Sequence, residues 1–152
     1  MSGNHGFSYP AVLALIIITG IAAATAQRSW TTVVKREKET ELLFRGDQIQ
    51  RAIASYYKAV ENKKLYPGSL NELIKDPRFP STKRHLRKIY TDPMTGNSEW
   101  GVVYTQGGRI KGVFSKSSEE PIKKSNFLPQ YSRFQDKTHY YDWKFIYQPD
   151  QQ

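Results

Sequence analysis

The chain contains 152 residues, of which 38% are hydrophobic and 24% charged, and its formal net charge is +9. This length and composition indicate one small globular domain and exclude a large multidomain enzyme. The absence of cysteine excludes disulfides, thiolate metal sites and cysteine nucleophiles. His5, His85 and His139 lack the spacing of a histidine metal site, so we expect no metal and no cofactor.

An uncharged, apolar segment occupies the N-terminal region. No charged side chain occurs from Phe7 to Gln27, so all 23 Lys and Arg residues and all 14 Asp and Glu residues lie from Arg28 onward. The 20 residues from Phe7 to Ala26 would span roughly 30 Å as a helix, which matches the apolar core of a bilayer. We therefore predict a membrane-spanning helix over residues 7–27.

Two interpretations of this segment remain open. Ala24, Thr25 and Ala26 fit the cleavage site of a secretory signal peptide, whose removal would release a soluble domain beginning at Gln27. Alternatively, the segment stays attached and anchors a domain on the far side of the membrane. The basic residues that follow the segment favour a cytoplasmic domain under the positive-inside rule. Composition alone does not decide the orientation.

The helical pattern continues past the apolar segment. No proline occurs between Pro10 and Pro67, and the pattern predicts one helix from Pro10 to Glu61. We expect Gly20 and Gly46 to weaken this helix. The second half carries an apolar stripe made of Leu42, Ile49, Ile53, Tyr56 and Val60. Two i, i+4 ion pairs should support it, Glu41–Arg45 and Asp47–Arg51.

Three features occur in order along the N-terminal region: Gly6 followed by Phe7, an uncharged run, and a continuous amphipathic helix. In these features the chain resembles type IV pilin-like proteins, most of all the pseudopilins of type II secretion. The resemblance implies that a prepilin peptidase cleaves the leader after Gly6 and methylates Phe7. It also implies other pseudopilins and an inner-membrane secretion platform as partners. The helix residues implied in assembly are Pro10, Ala11, Leu13, Ile16, Ile17 and Gly20.

Two positions depart from the family pattern. Ala11 stands where the family usually has a glutamate, fifth in the mature chain, and the leader lacks its customary basic residue. The resemblance implies that in such fibres the carboxylate neutralises a terminal ammonium group within the membrane, where an unpaired charge is costly. The departure therefore implies a minor, tip or priming role rather than that of a major subunit.

The remainder of the chain predicts a small globular head with short elements. Ser69 and Glu72 form the pattern of a capping box, which predicts a short helix from Leu70 to about Lys75. Residues 99–104 and 109–115 are strand-like and flank a Gly-Gly turn, which predicts a hairpin. Residues 117–137 are expected to be mostly loop, with Phe127, Tyr131 and Phe134 in it.

The final strand is predicted over residues 139–148, with an aromatic face that packs on the stripe of the long helix. That face contains Tyr141, Trp143, Phe145 and Tyr147.

The turn from Asp92 to Trp100 resembles the Asp-Pro turn of the pseudopilin head. The acidic calcium loop of the major pseudopilins has no counterpart, because Glu119 and Glu120 are followed by proline and two lysines.

Together these patterns predict an α+β fold with a long N-terminal helix, half in the membrane and half amphipathic, packed on a small antiparallel sheet. The predicted divisions are a leader at 1–6, a transmembrane half-helix at 7–27, an amphipathic half-helix at 28–62 and a head at 63–152.

The sequence contains no recognisable catalytic motif, so we expect no enzyme. Glu119 and Glu120 are expected to be solvated, and His139 to mark a strand boundary. One basic cluster consists of Lys75, Arg78, Lys83, Arg84, Arg87 and Lys88, to which His85 would only add. It is either an ordinary solvated face, or a surface for anionic proteins or lipid headgroups, or, least favoured, a nucleic-acid surface.

The resemblance predicts a single-pass inner-membrane subunit of a type II secretion or type IV pilus-like machine, with its head in the periplasm. It assembles through the N-terminal helix. Two alternatives remain: a periplasmic basic binding domain released after Ala26, and a minor pilin for DNA uptake.

Overall fold

The computed structural model describes the backbone of residues 8–149, and the side chains of that range apart from residues 8 and 21–29. Contacts divide the chain into two compact units, residues 1–37 and 38–152. The long helix α1 spans Ser8–Lys58, and the strands are β1 (Gly101–Tyr104), β2 (Ile110–Phe114) and β3 (Phe145–Ile146). Three short 3-10 helices cover Leu70–Leu73, Pro129–Phe134 and Tyr140–Asp142. The predicted α+β class is confirmed.

The bounds of α1 match the predicted helix closely. No proline follows Pro10 within it, so every later residue can donate to the backbone ladder. In the second unit the predicted stripe is buried at Leu42, Ile49, Ile53 and Tyr56. Both predicted ion pairs form, Glu41–Arg45 at 2.7 Å and Asp47–Arg51 at 2.6 Å.

The sheet is antiparallel, in the order β1-β2-β3. The predicted hairpin forms β1 and β2, with Val102 opposite Val113 and a register shift between Val103 and Tyr104. A side chain at Gly112 would place its Cβ 2.5 Å from the carbonyl oxygen of Phe145. Glycine is therefore required at this position, where β2 pairs with β3.

The prediction of a long, alternating final strand is wrong. Tyr140–Asp142 form a 3-10 helix, and β3 contains only Phe145 and Ile146. A 3-10 helix places residues i and i+3 on one face, so Tyr140 and Trp143 are fully buried whereas Tyr141 is exposed. The aromatic core still forms, because the ring of Trp143 stacks on that of Phe134 at 5.6 Å.

Gly46 has a role that helix propensity does not reveal. A Cβ added to Gly46 would lie 2.4 Å from Cε2 of Phe145, which is fully buried. The expected weak point of the helix is thus the place where β3 packs directly against its backbone.

The predicted capping box does not form. The side chain of Ser69 makes no capping hydrogen bond, and the helix is a single 3-10 turn that ends at Leu73 rather than Lys75. Glu72 instead accepts hydrogen bonds from the Gly68 N–H at 3.0 Å and the Tyr56 hydroxyl at 2.6 Å. The Glu72 carboxylate therefore joins this turn to α1 instead of capping it.

The Asp-Pro turn is organised around one buried carboxylate. Asp92 is fully buried and accepts hydrogen bonds from the Met94 N–H at 2.9 Å and the Ser115 hydroxyl at 2.7 Å. The indole N–H of Trp100 donates to the Tyr90 carbonyl at 2.7 Å. The turn is therefore joined to both strands at the open end of the hairpin.

Candidate assembly segment and basic surface

The N-terminal part of α1 exposes its apolar side chains. In residues 9–20, which we call the apolar segment, every side chain is exposed, and Ile16, Ile17 and Ile18 are 60%, 61% and 63% exposed. The hydroxyl of Thr19 donates to the carbonyl of Leu15 at 2.9 Å, so its polar group is satisfied within the helix. Burying side chains of this size stabilises by about 1.5–3 kcal/mol each. In proteins generally, exposed apolar surfaces of this kind are common at membrane and partner contacts.

The six residues implied in assembly all lie in the apolar segment, and all are exposed: Pro10, Ala11, Leu13, Ile16, Ile17 and Gly20. An added Cβ at Gly20 would meet nothing within 4 Å. The implied processing residues, Gly6 and Phe7, lie outside the described residues.

Within the described part of the chain, no helix is both long enough and apolar enough to cross a membrane. Residues 21–29, whose side chains are outside that part, make up the second portion of the span predicted from the sequence.

The basic cluster of the second unit is divided by the structure, because Arg78 is turned inward. Its guanidinium donates to both carboxylate oxygens of Asp76, at 2.9 and 2.6 Å, and to the carbonyl of Tyr56 at 2.7 Å. It also lies 3.7 Å from the centre of the Tyr56 ring. Arg78 therefore joins the loop to α1, and its charge is already paired.

Asp76 is the acid that this pairing neutralises, and its side chain is fully buried. Burial alone would raise its pKa, but hydrogen bonds from the side chain and backbone of Arg78 and from His85 outweigh burial. Together they lower the pKa of the Asp76 carboxyl to about 2. The charged form is therefore the stable form in the folded head.

His85 does not contribute to a basic surface, contrary to the sequence prediction. Its side chain is 1% exposed, with Nε2 3.1 Å from the Asp76 carboxylate and Nδ1 2.8 Å from the Ser55 hydroxyl. Although the order Ser55, His85, Asp76 is that of a catalytic triad, Arg78 holds both oxygens of the carboxylate. The network of these side chains therefore joins the loop to α1.

The other five cations of the cluster face outward, and we call them the basic surface. Lys75, Arg84, Arg87 and Lys88 are exposed and Lys83 is half-buried. The Lys83 ammonium lies 4.2 Å from the centre of the Phe79 ring, and that of Lys88 lies 6.0 Å from the centre of the Tyr90 ring.

A third buried carboxylate, Glu39, was not singled out by the sequence. It is 4% exposed and accepts hydrogen bonds from the Ile122 N–H at 2.6 Å, the Lys123 N–H at 3.1 Å and the Tyr140 hydroxyl at 2.9 Å. Burial, followed by the hydrogen bond to Glu39, raises the pKa of Tyr140. Because Glu37, Glu39 and Glu41 alternate with polar residues, no sequence signal distinguishes the buried one.

The remaining acidic candidates are at the surface, as expected. Glu119 and Glu120 are exposed, and Glu120 pairs with Lys124. Among the described residues, no group of three or more His, Asp or Glu side chains is placed to hold a metal ion.

Comparisons of the chain with protein-family models, with curated proteins and with solved structures found no match.

Proposed function

We propose that the chain is a pilin-like assembly subunit, of the pseudopilin kind found in type II secretion or related type IV pilus-like machines. It is held in the inner membrane by the N-terminal half of α1 and carries its head in the periplasm. Its partners are other pilin-like subunits, a prepilin peptidase and an inner-membrane platform. Its task is assembly rather than catalysis.

One observation carries this proposal: a single helix, Ser8–Lys58, changes character along its length. Its described side chains from 9 to 20 are exposed and apolar apart from Thr19, whereas residues 42–56 bury one stripe in the head. A helix that is apolar all round at one end requires a lipid or protein environment there. Trp30, which is 72% exposed, is of the residue type enriched at membrane–water interfaces.

The side chain at position 11 favours a minor or tip position. Ala11 offers no carboxylate to pair with a terminal ammonium of a neighbouring subunit. An unpaired ammonium in the apolar interior of a fibre is costly, and its repetition in every subunit would multiply that cost. A subunit used once, at a tip or during priming, avoids the repetition.

The mature N-terminus tests the proposal directly. The full chain is expressed with a prepilin peptidase, and the membrane fraction is analysed by intact mass and N-terminal peptide sequencing. We expect a chain that begins at Phe7 and carries one methyl group. A soluble chain beginning at Gln27 would instead show a released basic domain, and an intact Met1 would show that the Gly6-Phe7 pattern is accidental.

A pair of glycine variants provides the matched control. Gly6→Val should block cleavage because the bulky side chain occupies the residue before the scissile bond. Gly3→Val makes the same change three residues upstream and should leave cleavage intact. Equal processing of both variants would contradict cleavage after Gly6.

A further inference from the structure

We propose that the basic surface of the head, formed by Lys75, Lys83, Arg84, Arg87 and Lys88, is a docking surface for an acidic polypeptide segment of another protein. The proposal concerns the second unit alone. It does not depend on how the N-terminal helix is processed or assembled.

The charge of this surface is uncompensated. Asp76 is the only acid between residues 75 and 88, and its carboxylate is buried against Arg78 and His85. Within the described part of the chain, none of the five surface cations lies within ion-pair distance of a carboxylate. By contrast, Arg45, Arg51, Lys116 and Lys124 each pair with an acid.

The loop that carries these cations is fixed from inside. The N–H groups of His85 and Leu86 both donate to the carbonyl of Leu73, at 2.8 and 2.9 Å, and both side chains point into the head. Arg84 and Arg87 flank this buried pair and therefore point outward from an anchored backbone. Fixed placement reduces the conformational entropy that a partner must remove when it binds.

The surroundings favour an acidic polypeptide over a nucleic acid. Proteins that bind single strands combine basic side chains with open aromatic faces on which bases stack. Here the two nearby rings, Phe79 and Tyr90, are half-buried, and each has a lysine ammonium against it. Binding of carboxylates requires only the ammonium and guanidinium groups of the basic surface, and these groups remain accessible to a partner. Charge complementarity of this kind mainly provides specificity and a fast association rate.

The test compares two triple variants of the full chain in detergent micelles. The surface variant removes three cations of the basic surface through Lys75→Gln, Arg84→Gln and Arg87→Gln. The control variant removes three other exposed cations through Lys63→Gln, Arg133→Gln and Lys137→Gln, so the net charge changes by the same amount. Binding is measured by fluorescence anisotropy with a labelled peptide of alternating glutamate and aspartate, and with its glutamine–asparagine counterpart. Circular dichroism of both variants verifies that the head is folded.

We expect the surface variant to lose about tenfold in affinity for the acidic peptide, and the control variant to lose less than about threefold. The affinity should fall as salt rises, because exposed charges are screened. Equal losses in the two variants, or no binding of the acidic peptide, would overturn the proposal. The same measurement is made with a 20-base-pair DNA duplex and with phosphatidylglycerol vesicles. The assignment to a polypeptide would be overturned if either probe bound the parent chain more tightly than the acidic peptide does, and if only the surface variant bound that probe more weakly.

Discussion

Gly46→Ala is expected to destabilise the head although alanine is the better helix former. The substitution should favour α1 by about 1 kcal/mol through helix propensity alone. The new Cβ, however, would lie 2.4 Å from Cε2 of Phe145, well inside the 3.5–4.0 Å of ordinary carbon contact. Phe145 cannot yield easily because it is fully buried and its ring lies 5.1 Å from that of Phe134.

Overpacking of a well-filled core costs about 1–3 kcal/mol, and more where a ring cannot move. The confined ring of Phe145 places the cost at the upper end, about 3 kcal/mol, and subtracting the gain of about 1 kcal/mol in helix propensity leaves a net loss of about 2 kcal/mol. Such a loss lowers the Tm of a domain of this size by roughly 10 °C. The assay is thermal unfolding of the full chain in detergent, followed by near-ultraviolet circular dichroism, which reports on the buried rings.

Two further variants isolate the cause. Gly20→Ala makes the same change where an added Cβ meets nothing within 4 Å, and it should leave the unfolding of the head unchanged. Phe145→Leu removes the ring edge, so the double variant with Gly46→Ala should lose less stability than the two single losses added together. A Gly46→Ala chain as stable as the parent would refute the close approach of β3 to α1.

Other variants test the buried charges of the head. Arg78→Gln leaves the buried Asp76 carboxylate unpaired and should cost about 3–5 kcal/mol in urea unfolding, whereas the exposed Arg84→Gln should stay within about 0.5 kcal/mol. Because the pKa of Asp76 is lowered from 3.8 to about 2, its contribution of about 2 kcal/mol is complete above about pH 5 and is lost as the pH falls through about 2 toward about 1. Asp76→Asn should flatten that part of the stability–pH curve, and an unchanged curve would contradict the assignment. Tyr140→Phe removes one donor to the buried Glu39 and should cost about 1–3 kcal/mol, whereas loss below 0.5 kcal/mol would mean that the bond contributes little.

The parts of the fold that depend on periodicity could be predicted from the sequence. Residues 42–56 repeat apolar side chains at helical spacing over several turns, and this repetition suffices to place both the helix and its buried face. The hairpin was predictable for a similar reason, since two strand-like runs flank a Gly-Gly turn. Each of these signals is local, and each was confirmed in the structure.

The parts that depend on tertiary contact could not be predicted. Tyr140 and Tyr141 are chemically identical neighbours, and only the 3-10 turn decides which one is buried. Likewise, Arg78 and Arg84 look equivalent in one basic run, yet the first pairs with a buried carboxylate and the second faces solvent. The residue types in a local pattern do not reveal which distant residues each side chain contacts, and those contacts decide which member of such a pair is buried.

Three carboxylates are buried in the head, so fewer acids lie at its surface than its composition suggests. Glu39, Asp76 and Asp92 are all buried and hydrogen-bonded within the head, so their charges do not face the cations at the surface. The acids that join loops to α1 and to the hairpin are therefore unavailable to screen Lys75, Arg84 and Arg87. The same residues that hold the head together thus leave the cations of the basic surface without a carboxylate in ion-pair contact in the described part of the chain.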